Sequence, residues 1–363
     1  MKKTLLALAA LAASSAAFAQ SYVTLYGVMD ASVESVKGAH TMTRVSSDNL
    51  SSSRIGVKGS EDLGDGMKAN FALESAVKSD TGANGGSTYR FWDRAAWVSL
   101  SGGFGELRLG RTDTPIGDIA GNVLSAQSYD DLKIVGTRAG NDYRRADNTI
   151  TYFLPSLVSG LTASLQYSTA NGYSSAAGAE TTGSAAYGAA GKSYGLGVKY
   201  ASGPISAGIG YEYAKDENAA TGSQSANATL GYVGYDFGFA KFTVYHDAET
   251  NVNYTATAAN GSPRTLVTGL KAAVPFSPAF TLVAGASVVH NAKIGVTGAS
   301  ASSDADVQVV TVKGIYTLSK RTALYAMFTN LNNDTGSKLS FGDSMTDFGK
   351  VSHGIAVGVR HSF

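Results

Sequence analysis

The chain has 363 residues, with 29 Lys and Arg against 28 Asp and Glu, 43 Gly, 6 Pro and no Cys. That balance carries no basic footprint for nucleic acid, and the lack of Cys excludes a disulfide framework. Beyond the first twenty residues no apolar run approaches the ~18 residues of a membrane helix, while 19 Tyr and 14 Phe beside so much Gly suit many strands joined by turns.

In chain order, Met1-Lys2-Lys3 form a basic head, Leu5 to Ala13 an apolar run, and Ala17-Phe18-Ala19 a small-residue cleavage site before Gln20. This pattern predicts a signal peptide over residues 1–19 and an exported barrel over 20–363. Without Lys2 and Lys3, 27 basic residues face 28 acidic ones. The exported chain must be stabilised by a large hydrogen-bonded architecture.

Period-two alternation then repeats along the chain. Ala69, Phe71 and Leu73 alternate with Lys68, Asn70 and Glu74. Leu161, Ala163, Leu165 and Tyr167 alternate with Thr162, Ser164, Gln166 and Ser168. Tyr194, Leu196, Val198 and Tyr200 oppose Gly195, Gly197 and Lys199, and Ile205, Ala207, Ile209, Tyr211 and Tyr213 oppose Ser206, Gly208, Gly210 and Glu212. Similar patterns lie at 148–154, 239–246, 279–289 and 351–363, with weaker ones at 226–236, 263–274, 306–317 and 322–331.

Short Gly- or Pro-bearing connections alternate with long polar ones at 37–50, 78–89, 112–147, 170–191, 214–225, 250–262, 291–305 and 332–350. Seven short and eight long connections join sixteen strands, the arrangement of an up-and-down transmembrane barrel. In lipid every backbone group needs a partner, so the sheet must close. A barrel of this width encloses water rather than side chains. A soluble β-sandwich would alternate too, but without the short and long asymmetry.

The stretches Tyr22-Val-Thr-Leu-Tyr-Gly-Val-Met-Asp30, Ser53-Arg-Ile-Gly-Val-Lys-Gly-Ser-Glu-Asp-Leu-Gly64, Arg94-Ala-Ala-Trp-Val-Ser-Leu100, Phe104-Gly-Glu-Leu-Arg-Leu-Gly-Arg111 and Gly358-Val-Arg-His-Ser-Phe363 occur in this order. Together they resemble the Gram-negative general diffusion porins of betaproteobacterial and neisserial type. The resemblance implies an all-β, 16-stranded antiparallel transmembrane β-barrel with an infolded third long loop. It also implies a homotrimer in outer-membrane lipid that passes small hydrophilic solutes and ions without any cofactor. Phe363 is implied to be the signal read by the outer-membrane assembly machinery.

By motif, Arg54 and Arg94 match the basic wall of such porins, and Arg138 matches more loosely. Strand parity supports Arg54 and Lys58: if Ile55 and Val57 face outward, these two face the lumen. For Arg94, parity is indecisive, because Ala96, Val98 and Leu100 share its face. The longest connection, 112–147, carries Asp113, Asp118, Asp130 and Asp131, which are the expected acidic side of the constriction. It lacks the Pro-Glu-Phe-Gly turn of many porins and has Thr114-Pro-Ile-Gly117 instead. The bland alternatives are that the basic residues are lumen charges paired with Glu74 or Glu106, and that Asp130-Asp131 lie on exposed loop.

These residues predict a filter: width sets the size limit, and opposed charges set a transverse field that leans slightly to anions. A substrate-specific channel and a surface-exposed barrel adhesin are the alternatives. Enzymatic readings have little support. The five His are scattered with no metal-binding spacing, and Gly342-Asp-Ser344 has no strand-to-helix elbow.

Overall fold

A computed structural model describes residues 22–85, 91–134, 144–169, 192–218, 222–251, 264–290, 306–341 and 348–363. The predicted signal segment and Gly342-Asp-Ser344 lie outside them. The strands in chain order are β1 (Tyr22–Lys37), β2 (Thr41–Ser47), β3 (Arg54–Gly64), β4 (Met67–Ala76), β5 (Ala95–Gly102) and β6 (Gly105–Asp113). Two helices follow, α1 (Pro115–Val123) and α2 (Asp131–Ile134). Next come β7 (Arg145–Phe153), β8 (Leu161–Ser168), β9 (Lys192–Ser202), β10 (Ile205–Asn218), β11 (Gly222–Asp236) and β12 (Lys241–Asn251). The chain continues through β13 (Arg264–Pro275), β14 (Phe280–His290), β15 (Val307–Thr317), β16 (Thr322–Asn333) and β17 (Ser352–Ser362).

All pairings are antiparallel between neighbours, and β17 returns to β1 in register from Val28 opposite Ser362 to Lys37 opposite His353. Phe363 and Gly27 extend the seam by exchanging two backbone hydrogen bonds of 3.1 Å. The barrel is therefore closed, and the wall has the expected sixteen positions. One of them is split: β2 pairs with the upper half of β1 and β3 with its lower half, so the segment 48–53 between them leaves the wall. The Asp30 carboxylate holds that segment inside the barrel by accepting from the Asn49 and Ser51 backbone amides at 3.2 and 3.0 Å.

Two connections read as long loops are mostly strand. Residues 37–50 include β2, and 214–225 include the ends of β10 and β11, which pair out to Asn218 opposite Gly222. Neither stretch carries the regular apolar alternation of the wall strands, so each reads as loop in the sequence.

Along each strand the outward residues are apolar and the inward ones polar. On β17, Ile355, Val357 and Val359 are exposed, as on β1 are Met29 and Val33. Inward-facing Ser99, Thr149, Thr151 and Gln166 are buried in the lumen. Aromatic rings gather at both ends of the wall. Phe237 lies 4.6 Å from Tyr235, 6.0 Å from Phe239 and 5.8 Å from Phe242 beside a short turn. Tyr194 lies 5.3 Å from Tyr167 and 6.3 Å from Tyr213 at the opposite end. These are the two girdles of a membrane barrel. The β3–β4 turn shows how tight the short connections are: Asp65 and Gly66 both have positive φ, 50° and 77°, as a two-residue type I′ hairpin requires.

The apolar core lies inside the barrel. Ile116, Ile119, Val123, Tyr129 and Leu132 of the third connection pack on Leu230, Tyr245, Val267, Val309 and Met327 of the inner wall. That connection, expected over 112–147, spans 114–144 because β6 and β7 reach further than their alternation shows. Its residues 114–134 fold into the lumen.

Candidate functional site

The infolded loop begins at the Thr-Pro-Ile-Gly stretch noted in the sequence, which here starts a helix. Thr114 is the N-cap of α1, its hydroxyl accepting from the Gly117 amide at 3.0 Å, and Pro115 occupies the first turn, where its missing N–H costs nothing. The wall receives α1 closely: a Cβ at Gly210 would stand 2.9 Å from Ile116 Cα and 2.9 Å from Ile119 Cγ1. The small inward residues of β9 and β10 thus form a seat for the helix. After α1 the loop crosses toward β1, where the Gln127 and Ser128 amides donate to the Asn49 carbonyl at 3.2 and 3.1 Å. The Tyr129 hydroxyl donates to Glu34 Oε2 at 3.3 Å.

Among the described residues this crossing separates two compartments of the lumen. One, of 690 Å³, is walled by β3–β9 and the start of α1, and contains Arg54, Lys58, Arg94, Asp113 and Asp118. The other, of 540 Å³, lies between the later part of the loop and β15–β17. Arg54, Arg94 and Arg144 line both, so the two compartments meet at three arginines.

Glu74 organises two of them. Its Oε1 lies 2.5 Å from Arg94 Nε, its Oε2 lies 3.5 Å from Arg54 Nε, and Oε2 accepts from the Tyr26 hydroxyl at 2.9 Å. One carboxylate thus faces two guanidiniums. Arg144 Nε and Nη1 are buried without a hydrogen-bond partner among the described residues. Arg145 pairs with Asp113 at 3.0 Å, and Lys199 pairs with Asp118 on α1. Arg108 pairs with Glu106 at 2.8 Å and stacks 3.9 Å from the Trp97 ring and 4.6 Å from that of Phe153.

Among the described residues the larger compartment is lined by seven basic and three acidic side chains. The smaller has six basic (Arg54, Arg94, Arg144, Lys320, Arg321, Arg360) and no acidic ones. The positive potential reaches the loop: burial, then the Arg144 and Arg145 guanidiniums, push the Lys133 ammonium down to about 7.

Of the expected site residues, Arg54, Lys58, Arg94, Asp113 and Asp118 come together in the larger compartment. Arg138 lies outside the described residues. Asp130 and Asp131 stand elsewhere: both are buried behind the loop against β12, β13 and β15 and line neither compartment. Asp130 accepts from Ser125 N and Ser125 Oγ at 2.9 and 2.8 Å and pairs with Lys271 at 2.7 Å, while the Tyr245 hydroxyl donates to Asp131. They tie the loop down rather than face the water. Tyr245 and Tyr325, both inward-facing, are likewise occupied, Tyr325 by a 2.6 Å hydrogen bond to Asp30.

Sequence reasoning missed Arg144, Arg145 and Lys199. The adjacent Arg pair at the loop's end was the signal: two basic residues re-entering a strand that faces a lumen.

A family model described as Gram-negative porin matches residues 5–336. The chain belongs to that family.

This porin is similar to outer membrane porin protein 32 of Delftia acidovorans, 32% identical over the full length of both chains. A solved anion-selective porin from Comamonas acidovorans superimposes with a TM-score of 0.73 at 26% identity, over 95% of this chain and 100% of that one. The trimer form of OmpT from Vibrio cholerae shares the fold, with a TM-score of 0.65 at 16% identity over 94% and 99%. The porin is thus a channel of the Gram-negative outer membrane, not an enzyme.

Proposed function

We propose that this porin is a general diffusion channel for small hydrophilic solutes that favours anions and works as a homotrimer. The observation that carries the anion preference is the junction of the two compartments, where Arg54, Arg94 and Arg144 meet and Glu74 is the acidic side chain set between them. At physiological salt, screening acts within ~8 Å in open water, so only charges crowded at a narrow section sort ions. The Asp130 and Asp131 charges are absorbed by Lys271, which leaves the acidic side weaker than the loop's composition suggests. The printed description of the Comamonas structure as anion-selective is consistent with this reading.

Trimer assembly is supported by the trimer form of the Vibrio fold neighbour. Recognition of the exposed Phe363 side chain by the outer-membrane assembly machinery accords with its place on the closing seam. The test of function is a reversal potential across a planar bilayer under a salt gradient. A value of anion sign supports the proposal, whereas zero or cation sign removes it.

A further inference from the structure

Lys271, on β13, is only 6% exposed and lines neither compartment. Its ammonium lies 2.7 Å from Asp130 Oδ2 and 3.1 Å from Asp131 Oδ1, and it donates to the Val123 carbonyl at 3.1 Å. Val123 ends α1 and Asp131 begins α2. One wall cation therefore holds both helices of the loop. At α1 it satisfies a carbonyl left without an intrahelical donor and complements the helix dipole. At α2 it compensates two buried carboxylates that are costly to leave unpaired. Neighbouring groups tighten the arrangement: Lys313 donates to Ser125, Tyr245 donates to Asp131, and the Lys271 ammonium lies 4.8 Å from the Tyr245 ring centre.

We propose that Lys271 is a positioning residue for the constriction, setting channel width by holding the loop against the wall away from the three arginines, without touching the permeating solute. The direction of its effect follows from where water is. Behind the loop is packed wall, and the lumen is in front. Without the Lys271 ammonium, Lys313 still faces Asp130 but one cation is left for two buried carboxylates, which gain hydration by moving toward the lumen; that carries the loop toward Arg54 and Arg94 and narrows the channel.

The experiment compares wild type with Lys271→Met, Lys271→Arg and the triple variant Lys271→Met/Asp130→Asn/Asp131→Asn, each first checked for assembled barrel by its resistance to unheated detergent. Readouts are single-channel conductance and liposome swelling with neutral sugars of increasing size, which report width and not charge. The Met variant is expected to lose conductance by about twofold or more and to slow large sugars more than small ones. Arg is expected to retain wild-type values, and the triple variant to recover toward them because no carboxylate then seeks water. Wild-type conductance and sugar cut-off in Lys271→Met overturn the proposal.

If Lys271→Met does not assemble, the other two variants decide. A triple variant with unchanged conductance and a reversal potential moved toward anions places the two carboxylates in the field of the channel and also overturns it. Silence of the wild-type protein would count against the channel reading instead, so the two failures are distinguishable.

Discussion

Glu74 Oε1 lies 2.5 Å from Arg94 Nε, and the same carboxylate reaches Arg54 with its other oxygen. Both arginines pair with Glu74, as the bland alternative drawn from the sequence has it, and both also line the two lumen compartments. A single carboxylate offsets one guanidinium and leaves the site net positive. Glu74→Gln keeps the hydrogen-bonding shape and removes the offset. The anion-to-cation permeability ratio should rise, as measured by reversal potential, with little change in conductance.

The converse substitutions should move the ratio the other way. Arg54→Ala or Arg94→Ala removes one of three shared cations and should lower anion preference. Arg94→Ala also unpairs Glu74 from its closest partner and should have the larger effect. An unchanged reversal potential in both would show that the narrow section lies elsewhere.

At Gly210 the backbone of α1 comes closest to its seat, with Ile116 Cα 2.9 Å from where a Cβ would stand. Backbone cannot step aside as a flexible side chain does, so Gly210→Val should push α1 into the lumen at a cost of about 1–3 kcal/mol. Conductance should fall and thermal unfolding of the detergent-solubilised barrel should shift down. Deleting residues 118–131 should do the opposite to width, admitting larger sugars in a swelling assay.

Thr114→Ala removes the cap of α1 and should cost about 1 kcal/mol. The lumen charges are untouched, so selectivity should hold while the loop's local stability drops. Faster amide exchange over 115–123 than in wild type is the measurement. Equal exchange would mean that packing alone holds the helix.

Acid should release the loop late. Burial raises the Asp130 carboxyl, but Lys271 and Lys313 outweigh it and hold it well below 3.8. A depressed folded pKa contributes stability above the unfolded value and loses it as pH falls through the folded one. Asp131 moves the other way, raised by burial and the adjacent Asp130 despite Lys271, so it takes up its proton first and its contribution fades as pH rises. Between pH 7 and about 4 the Asp130–Lys271 pair should persist and conductance should stay level. A loss of conductance beginning near pH 6 would contradict this.

Much of the barrel was legible in the sequence, because alternation is a local property imposed by lipid on one face and water on the other. It marked 351–363 as a strand, required the sheet to close and placed Arg54 and Lys58 inward; in the structure 352–362 closes on β1 and both basic residues line the lumen. Arg94 marks its limit. Parity put it with Ala96, Val98 and Leu100, yet it lies one residue ahead of β5, outside the regular strand, and lines both compartments. Only the motif resemblance found it.

By itself, then, the sequence determined the strand count, the closure, the two faces of the wall and the family. Which loop charges meet water was decided by tertiary structure alone. Asp118 and Asp130 look alike along the chain, twelve residues apart in one polar stretch. One pairs with Lys199 beside the lumen and the other with Lys271 behind the loop. The difference arises because their partners lie on β9 and β13, far off in sequence, and pairing across a closed barrel depends on three-dimensional register that no local pattern encodes.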